Sequence, residues 1–419
     1  MGSRAVVMID RLNTSAGGEA TLTDFAVAFA DATGSVDVLV AKSYFWHRLR
    51  LRRSISERAH PNLTIRVRPV ARILDFRVAR SVVRSDFWGQ SPKRPTALRF
   101  LLDWRRAAAR RILWKADLVL VSQVLTDQGV AQLAKQVCPG ALLVLNHNGE
   151  PALFFDKWKS SSAPSDPEEA LSKYRAYLAK FSQIVFQSSG QESIFRSSHP
   201  DFPGVTSVIW PSLDEKKCLR AAKKNGFFSQ AHVNVLCVAK FQSGKHQREL
   251  ISAFSQLTRG FPEAHLTLIG ASSSEHDYLD SCHRLVDELN LQSRVTITGR
   301  RADVLSFIAD CDVLVLASSG EGVSRAIREG AFFAKPIVCT DLPGLRTFLG
   351  RGGAMFVSKP TPELISSALR TVLSNPHLQK ELSIRSREAY MEKASWQSFA
   401  ASVSSLANSP NGGRESCEP

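Results

Sequence analysis

The sequence has no apolar run long enough to cross a membrane. Its apolar runs, such as residues 5–9, 118–121 and 313–317, have the length of buried strands, whereas a membrane-spanning helix needs about 20 such residues. Residues 1–4 lead directly into the first of these runs, without the apolar stretch and cleavage site of a secretory signal. The sequence therefore predicts a soluble, unexported, cytoplasmic protein.

Paired cysteines and several catalytic motifs are also missing. The seven cysteines are scattered, and no two have the spacing of a zinc ribbon or of a redox Cys-x-x-Cys pair. This distribution predicts a reducing compartment and no structural metal. The Gly244-Lys245 dipeptide lacks the upstream glycine and the following Ser or Thr of a Walker loop. The sequence also has no Gly-x-Ser-x-Gly element. These absences disfavour ATP hydrolysis and serine hydrolase chemistry.

Two short clusters have the composition of metal ligands. Asp310-Cys311-Asp312 has the Asp-x-Asp spacing of metal-dependent transferases, but it lies where a predicted helix meets a predicted strand. Asp312 is better interpreted as the residue that caps or starts the strand. His276, Asp280 and His283 share one face of a predicted helix, where a charged helix exterior explains them equally well. We expect no metal at either place.

Acidic residues are scarce in one part of the chain. The net charge of the whole sequence is +15. Residues 42–115, here named the basic segment, contain 20 Lys and Arg residues and only four acidic residues, a net charge of +16. The rest of the chain has a net charge of −1. A charge concentrated in this way indicates an anionic partner for the basic segment.

The 419 residues are enough for two domains, or three. Strand-like and helix-like patterns alternate, which predicts doubly wound parallel sheets. The first series of strands is predicted at residues 5–9, 36–40, 63–70, 118–121, 142–145, 183–187 and 207–210, with a helix at 19–33. The second series is predicted at residues 233–239, 266–270, 295–298, 312–316, 336–340 and 354–357. Two α/β sheets in tandem are the simplest interpretation.

Domain boundaries follow from the composition. Residues 211–232 have the composition of a linker, so an N-terminal domain is predicted at 1–210 and a C-terminal domain at 211–394. Residues 160–167 are predicted to be a surface loop, and residues 408–419 a disordered tail.

The strongest site signal lies between residues 318 and 330. A Gly-rich turn containing Gly320 and Gly322 follows one predicted strand and precedes a helix. This arrangement leaves backbone N–H groups free to bind a phosphate. Glu321 lies in the turn and Glu329 about two helical turns inward, where carboxylates can accept hydrogen bonds from sugar hydroxyls. Two solvated helix glutamates would have the same spacing.

Glu321 and Glu329, followed by Lys335-Pro336, resemble the paired-glutamate signature of retaining glycosyltransferases of family 4. That family has the GT-B fold, an α/β architecture of two Rossmann-like, doubly wound parallel-sheet domains that face each other across a cleft. The resemblance implies a nucleotide-sugar donor whose ribose is held by Glu329 and whose sugar is held by Glu321. It is close over residues 233–396 and only topological over residues 1–210.

Further positions extend the resemblance. Lys240 and Lys245 resemble the family's basic pair that binds the donor diphosphate, although Lys240 stands where Arg is usual. Gly17-Gly18 resembles a glycine turn that lets the backbone approach the donor or the acceptor closely. His147 corresponds to a histidine that contacts the transferred sugar. Surface lysines, an ordinary turn and a loop histidine are the alternative interpretations.

The ends of the C-terminal domain match the family in position as well. Asp214 follows Trp210-Pro211, and Tyr390 precedes Ser395-Trp396. In the GT-B fold the helix that begins here, predicted at residues 395–407, returns to the N-terminal domain. The resemblance assigns donor binding to the C-terminal domain and acceptor binding to the N-terminal domain.

The basic segment also contains aromatic residues, among them Trp46, Trp88, Trp104 and Trp114. If residues 96–115 are helical, several arginines share one face. Basic and aromatic side chains together suit an anionic membrane surface, where each charge contributes on the order of 1 kcal/mol. Nucleic acid is a less favoured partner because no nucleic-acid-binding module accompanies the charge.

The resemblance implies a retaining, metal-independent glycosyltransferase without a cofactor. Its donor is expected to be a UDP- or GDP-sugar, and its acceptor a glycan or lipid-linked molecule used in cell-envelope or polysaccharide biosynthesis at the inner face of the membrane. The catalytic residues are expected to be His147, Glu321, Lys240 and Lys245, and the donor-binding residues to include these lysines, Gly17, Gly18, Glu321, Gly322, Val323, Ser324 and Glu329. One alternative is a GT-B enzyme acting on a small soluble sugar or sugar phosphate. Another is a transferase-like scaffold that binds anionic polymers without turnover.

Overall fold

The computed structural model describes residues 5–11, 17–42, 64–69, 113–114, 116–122, 134–147, 167–223, 226–228, 232–272 and 276–408. The chain divides into two compact units. The N-terminal unit consists of Met1–Pro211 with Phe399–Pro419, and the C-terminal unit of Ser212–Ser398. Each unit contains one parallel sheet, so the predicted pair of α/β sheets is confirmed.

The sheet of the N-terminal unit has seven strands in the order β3-β2-β1-β4-β5-β6-β7. Every neighbouring pair is parallel. The strands are β1 (Ala5–Arg11), β2 (Ser35–Lys42), β3 (Thr64–Pro69), β4 (Leu118–Ser122), β5 (Leu142–His147), β6 (Gln183–Phe186) and β7 (Val205–Val208). The helices are α1 (Gly17–Thr33), α2 (Pro167–Leu178) and α3 (Ser189–Ser198).

The core of the N-terminal unit lies on both faces of this sheet. Consecutive strand residues point to opposite faces, and both Val6 and Val7 of β1 and both Val119 and Leu120 of β4 are fully buried, as expected for a parallel sheet covered on both faces. Phe25 of α1 packs edge to face on Phe399, with ring centroids 5.0 Å apart. Phe399 belongs to the last described helix, so the chain returns to this unit after it has completed the other.

The sheet of the C-terminal unit has six strands in the order β10-β9-β8-β11-β12-β13. These strands are also parallel. They are β8 (Val233–Val238), β9 (Ala264–Ile269), β10 (Val295–Thr298), β11 (Val313–Leu316), β12 (Ile337–Thr340) and β13 (Met355–Val357). The helices are α4 (Glu215–Ala222), α5 (Gln247–Leu257), α6 (His276–Glu288), α7 (Val304–Asp310), α8 (Arg325–Phe332), α9 (Pro343–Leu349), α10 (Pro362–Leu373) and α11 (Pro376–Lys393). The last described helix, α12 (Trp396–Asn408), begins in this unit and belongs to the N-terminal unit from Phe399 onward.

Helix boundaries in the C-terminal unit are set by local capping. Thr361 accepts a hydrogen bond from the N–H of Leu364 at the start of α10, and Asn375 accepts one from Leu378 at the start of α11. Both helices have proline in their first turn, where its missing N–H costs nothing. The central strands β11 and β12 are buried at every position, as expected for a sheet covered on both faces.

The structure differs from the sequence predictions at three places. The predicted linker at residues 211–232 contains α4, because the Asp214 side chain accepts from the N–H of Lys217 and caps a helix there. Gly17 and Gly18 are the first residues of α1, not part of a turn before it; N–H groups in a first turn have no intrahelical partner, so glycine costs little there. The strand predicted at 207–210 is β7, at Val205–Val208.

Other predictions fall outside the described residues. This applies to nearly all of the helix proposed at 96–115, to the loop at 160–167 except Pro167, which begins α2, and to the tail beyond Asn408, where α12 ends.

Candidate functional site

The two sheets have the same topological reversal. In the C-terminal unit β8 and β11 are neighbours, and the chain proceeds from them toward opposite edges of the sheet. Ligands of doubly wound sheets bind beyond the carboxyl ends of the strands at such a switch point. A ligand site is therefore expected in the loops that follow β8 and β11. They carry Lys240, Lys245, Glu321 and Gly322.

The loop after β8 holds its two lysines in a short, well-bonded segment. Residues Ser243–Lys245 form a 3-10 turn, and His246 adopts a left-handed conformation (φ 53°) before α5 begins at Gln247. The buried Gln247 side chain donates from Nε2 to the carbonyl of Lys240 at 2.8 Å. This bond joins the two ends of the loop, so the backbone at Lys240 is fixed while its side chain remains exposed.

The loops after β8 and β11 are bonded to each other. The Lys245 Nζ lies 2.5 Å from Oε1 of Glu321, and both side chains are about five-sixths buried, with 17% and 16% exposed. The buried Ser318 donates from Oγ to the same Glu321 oxygen at 2.9 Å. The N–H of Ser319 donates to the carbonyl of Gly244 at 3.0 Å. The structure thus brings Lys245 and Glu321 into direct contact at the switch point.

A glycine of α9 packs directly against the backbone of the Gly-rich turn. A Cβ at Gly344, in the first turn of α9, would lie 2.1 Å from the carbonyl oxygen of Gly322 and 3.3 Å from that of Glu321. Because the contacted atoms are backbone, they cannot move aside as a flexible side chain can. Gly344 therefore allows α9 to support the turn at van der Waals distance.

Helix α8 begins directly after this turn. Its N-cap residue Ser324 is buried and makes no side-chain capping bond. The first N–H groups of a helix have no intrahelical partner, and the helix dipole makes this end positive. The backbone of Gly322, Val323 and Ser324 therefore lies where an anion can bind.

Glu329 is buried within α8. Only 4% of its surface is exposed, and its Oε1 accepts a hydrogen bond from Nε of Arg325 at 2.8 Å. Its charge also acts on Cys218 of α4. Burial is the main cause that raises the pKa of this thiol to about 12, and the charge of Glu329 is a second cause of this rise.

The remaining predicted site residues lie in the N-terminal unit. His147 is the last residue of β5, where its backbone pairs with Phe186 of β6. Gly17 and Gly18 begin α1. The carboxyl end of β5 is the sheet edge at which ligands of this fold class bind. The roles of these residues remain predictions.

The start and end of the C-terminal unit are tied together by a residue that the sequence analysis missed. Glu215 Oε1 accepts from the Tyr390 hydroxyl at 2.9 Å and from the N–H of Trp396 at 3.0 Å. Burial, followed by the charge of Glu215, raises the pKa of Tyr390 far above its ordinary value. The sequence analysis identified Tyr390 and Trp396 by their match to the family. Their partner Glu215 is 175 and 181 positions away along the chain, so no local pattern indicates it.

The Asp-x-Asp cluster has a structural use. Asp310 accepts from the N–H groups of Phe227 and Phe228 at 2.9 and 3.1 Å. Asp312 accepts from the N–H of Asn234 at 2.7 Å. Both carboxylates thus hold backbone segments beside the sheet. Asp280 and His283 lie on the exposed exterior of α6.

The C-terminal unit matches a known family. Residues 221–389 match the family model Glycosyl transferases group 1. The matched region contains both loops of the switch point, α8 and Gly344. None of the described helices is long and apolar enough to cross a membrane.

Two curated relatives are similar over part of their length. The lipopolysaccharide core biosynthesis glycosyltransferase LpsE of Rhizobium meliloti (strain 1021) is 26% identical over 178 residues, which are 42% of this chain and 50% of LpsE. The N-acetylgalactosamine-N,N'-diacetylbacillosaminyl-diphospho-undecaprenol 4-alpha-N-acetylgalactosaminyltransferase of Campylobacter jejuni is 26% identical over 148 residues, 35% of this chain and 39% of that enzyme. The chain thus aligns with half or less of each relative.

Comparison with a solved structure shows the fold. The crystal structure of Anabaena Alr3699/HepE in complex with UDP is similar with a TM-score of 0.71 and 15% identity, over 97% of this chain and 100% of that one. The fold is therefore GT-B, α/β with two doubly wound parallel sheets, as the paired-glutamate resemblance predicted.

Proposed function

We propose that this protein is a retaining glycosyltransferase that moves a sugar from a nucleoside diphosphate sugar to a glycan or lipid-linked acceptor. The observation that carries the proposal is the contact of Lys245 with Glu321 at the switch point of the C-terminal sheet. At this point the Lys245 cation and the Glu321 carboxylate lie beside the turn that leads into α8, whose start has no side-chain cap. The buried Glu329 lies one turn further along α8. Cationic and N–H groups can bind a diphosphate, and carboxylates can bind sugar hydroxyls.

Charge stabilisation of the leaving diphosphate is the main chemical task. In the proposed mechanism Lys245, the exposed Lys240 and the N–H groups of Gly322, Val323 and Ser324 bind the phosphate oxygens. Negative charge increases on these oxygens as the glycosidic bond breaks, so donors fixed in advance lower the barrier without a metal ion.

The two glutamates select the sugars of the donor. Glu329 accepts hydrogen bonds from the ribose hydroxyls, and Glu321 accepts them from the transferred sugar. In this proposal the transferred sugar is also contacted by His147. We infer that the acceptor hydroxyl forms its bond to the anomeric carbon on the face from which the diphosphate leaves, which retains the anomeric configuration. The hydroxyl proton passes to an oxygen of the departing diphosphate.

The relatives support the class of substrate. The names of these two enzymes refer to lipopolysaccharide core biosynthesis and to a diphospho-undecaprenol glycan, and the Anabaena structure holds UDP. For this chain we infer a nucleotide-sugar donor and a lipid-linked acceptor. UDP is the first nucleotide to test.

The donor site is tested by thermal unfolding with UDP-, GDP- and ADP-sugars. A ligand at about 100 times its dissociation constant stabilises the folded protein by roughly 2.7 kcal/mol. We expect one nucleotide family to raise the melting temperature of the wild type, and Lys245→Ala and Glu329→Ala to lose this shift. The exposed α11 residues provide matched controls, since Lys380→Ala and Glu388→Ala should keep it.

Turnover separates an enzyme from a scaffold. Donor hydrolysis or transfer by the wild type, absent in Glu329→Ala, would establish catalysis. A thermal shift without any turnover in the presence of lipid-linked acceptors would instead favour the scaffold that binds anionic polymers.

The basic segment brings the enzyme to an anionic membrane surface in this proposal. At its end, Trp114 is 73% exposed whereas its neighbour Leu113 is fully buried. An exposed tryptophan beside basic residues suits the interface of a bilayer. Flotation with anionic liposomes should show binding that weakens with salt. A small soluble acceptor would be favoured if the protein does not float with anionic liposomes, or if it floats equally well with neutral ones.

A further inference from the structure

Helix α8 carries two arginines in very different surroundings. Arg328 is 4% exposed and donates from Nη1 to the carbonyl of Ser212 at 2.7 Å. This bond joins α8 to Ser212, the first residue of the C-terminal unit, and gives Arg328 a structural role. Arg325 is the first residue of α8, and 37% of its side chain is exposed.

The position of Arg325 is unfavourable for a helix. A cation in the first turn faces the positive end of the helix dipole. The order of the pair is also the weaker one, because Arg325 precedes Glu329, whereas a glutamate that precedes its cation by four residues is preferred. The Glu381–Arg385 pair of α11 has the preferred order, with Nε and Oε1 3.0 Å apart. Helix stability therefore does not explain Arg325.

The burial of Glu329 offers an explanation. An ionised carboxylate that is removed from water requires a charged or hydrogen-bonding partner. Arg325 supplies one at 2.8 Å through Nε to Oε1. The two residues are paired at i and i+4, so both charges lie on the same face of α8.

We propose that Arg325 is a positioning residue that fixes the Glu329 carboxylate for recognition of the ribose diol. With Oε1 held by Arg325, Oε2 is directed to accept from the 2′- and 3′-hydroxyls. This inference rests on the proposed function, because it deepens the role given there to Glu329. It assigns to Arg325 a contribution to the preference for ribonucleotides, not to the binding of phosphate.

The test compares two ligands that differ only in the diol. Dissociation constants are measured by calorimetry for UDP or GDP, whichever binds the wild type, and for its 2′,3′-dideoxy analogue. We expect the wild type to prefer the ribonucleotide by at least about tenfold, since two hydrogen bonds to a charged group are at stake. Arg325→Met should reduce this preference to about twofold and leave the affinity for the dideoxy analogue nearly unchanged. Glu329→Gln should do the same.

Matched variants separate positioning from folding. Arg385→Met removes the arginine of the ordinary pair on α11 and should keep the full preference. Arg325→Lys retains the charge without the planar guanidinium and should give an intermediate preference. If Arg325→Met does not fold, Arg325→Lys decides: a reduced preference supports the proposal, and an unchanged one overturns it.

Two other outcomes overturn the inference. An equal loss of affinity for both ligands in Arg325→Met would show that Arg325 binds phosphate or only supports the fold. An unchanged preference would show that Glu329 does not need Arg325. The proposed function fails in a different way, because the wild type would then bind neither nucleotide or would not distinguish the ribose from the dideoxy sugar.

Discussion

The two sheets share the order of their first six strands, but the sequence features that accompany them differ. In both sheets the first and fourth strands along the chain are neighbours, so each has a switch point. In the C-terminal unit the loops at this point are joined by the Lys245–Glu321 pair and by the bond from Ser319 to Gly244. In the N-terminal half the conspicuous feature is instead the basic segment, with a net charge of +16. The fold supplies the place for a ligand, and loop residues decide its chemistry.

Close glycine packing shows the same contrast. A Cβ at Gly204, before β7, would lie 2.8 and 2.9 Å from the carbonyl oxygens of Ser182 and Phe181. This contact is at the amino ends of the strands, away from the edge where ligands bind. Gly344 makes the equivalent approach to Gly322, at the carboxyl edge. One glycine therefore serves packing alone, and the other also shapes the Gly-rich turn.

The largest expected effect concerns the cation of the C-terminal site. Removing one preorganised group that stabilises transition-state charge typically lowers kcat by about 100- to 1000-fold. We expect Lys245→Ala to show a loss of this size in a transfer assay, and Lys245→Arg to recover part of it. Lys380→Ala should be neutral. A kcat that stays within threefold of the wild type for Lys245→Ala would remove this residue from the mechanism and weaken the contrast between the units.

The glycine comparison predicts an intermediate effect on stability. Gly204→Ala and Gly344→Ala should each lower the free energy of unfolding by about 1–3 kcal/mol, because the new methyl group meets backbone atoms. Gly299→Ala is the control, since its Cβ would meet nothing within 4 Å. Urea unfolding measures all three. Only Gly344→Ala should also weaken nucleotide binding, and an equal weakening by Gly204→Ala would contradict the proposed separation of packing from site.

The strands, and the strand–turn–helix segment that carries the candidate site, could be predicted because they depend on local patterns. Strands such as β8 and β11 are short apolar runs between turns, and Glu321 and Glu329 lie in a recognisable strand–turn–helix sequence. The supporting contacts could not be predicted, because they join residues far apart in the chain. Lys245 and Glu321 are separated by 76 positions, and nothing near Gly344 in the sequence indicates that it touches Gly322. The α4 helix was missed because its single buried residue, Cys218, gives no hydrophobic period.

The smallest expected effect concerns an ion pair directly after β12, at the carboxyl edge of the C-terminal sheet. Arg346 donates from Nε to Oδ1 of Asp341 at 2.8 Å and stacks on Phe356, with the guanidinium carbon 3.8 Å from the ring centroid. The hydrogen bonds from Arg346 hold the pKa of Asp341 below its ordinary value of 3.8. A lowered carboxyl pKa stabilises the folded state above the pKa of the unfolded chain, and this contribution disappears as the pH falls through the folded pKa. Partly exposed pairs contribute at most about 1 kcal/mol.

The pair is tested by urea unfolding of the wild type, Asp341→Asn and Arg346→Gln between pH 6 and pH 3. We expect both variants to be less stable than the wild type at pH 6 and both differences to narrow below about pH 4, because protonated Asp341 no longer attracts Arg346. Arg346→Gln should keep a residual deficit at all pH values, since it also loses the stacking on Phe356. Asp341→Asn retains that stacking and should approach the wild type at pH 3. A difference independent of pH for both variants would mean that packing, not charge, makes this pair stabilising at the edge of the C-terminal sheet.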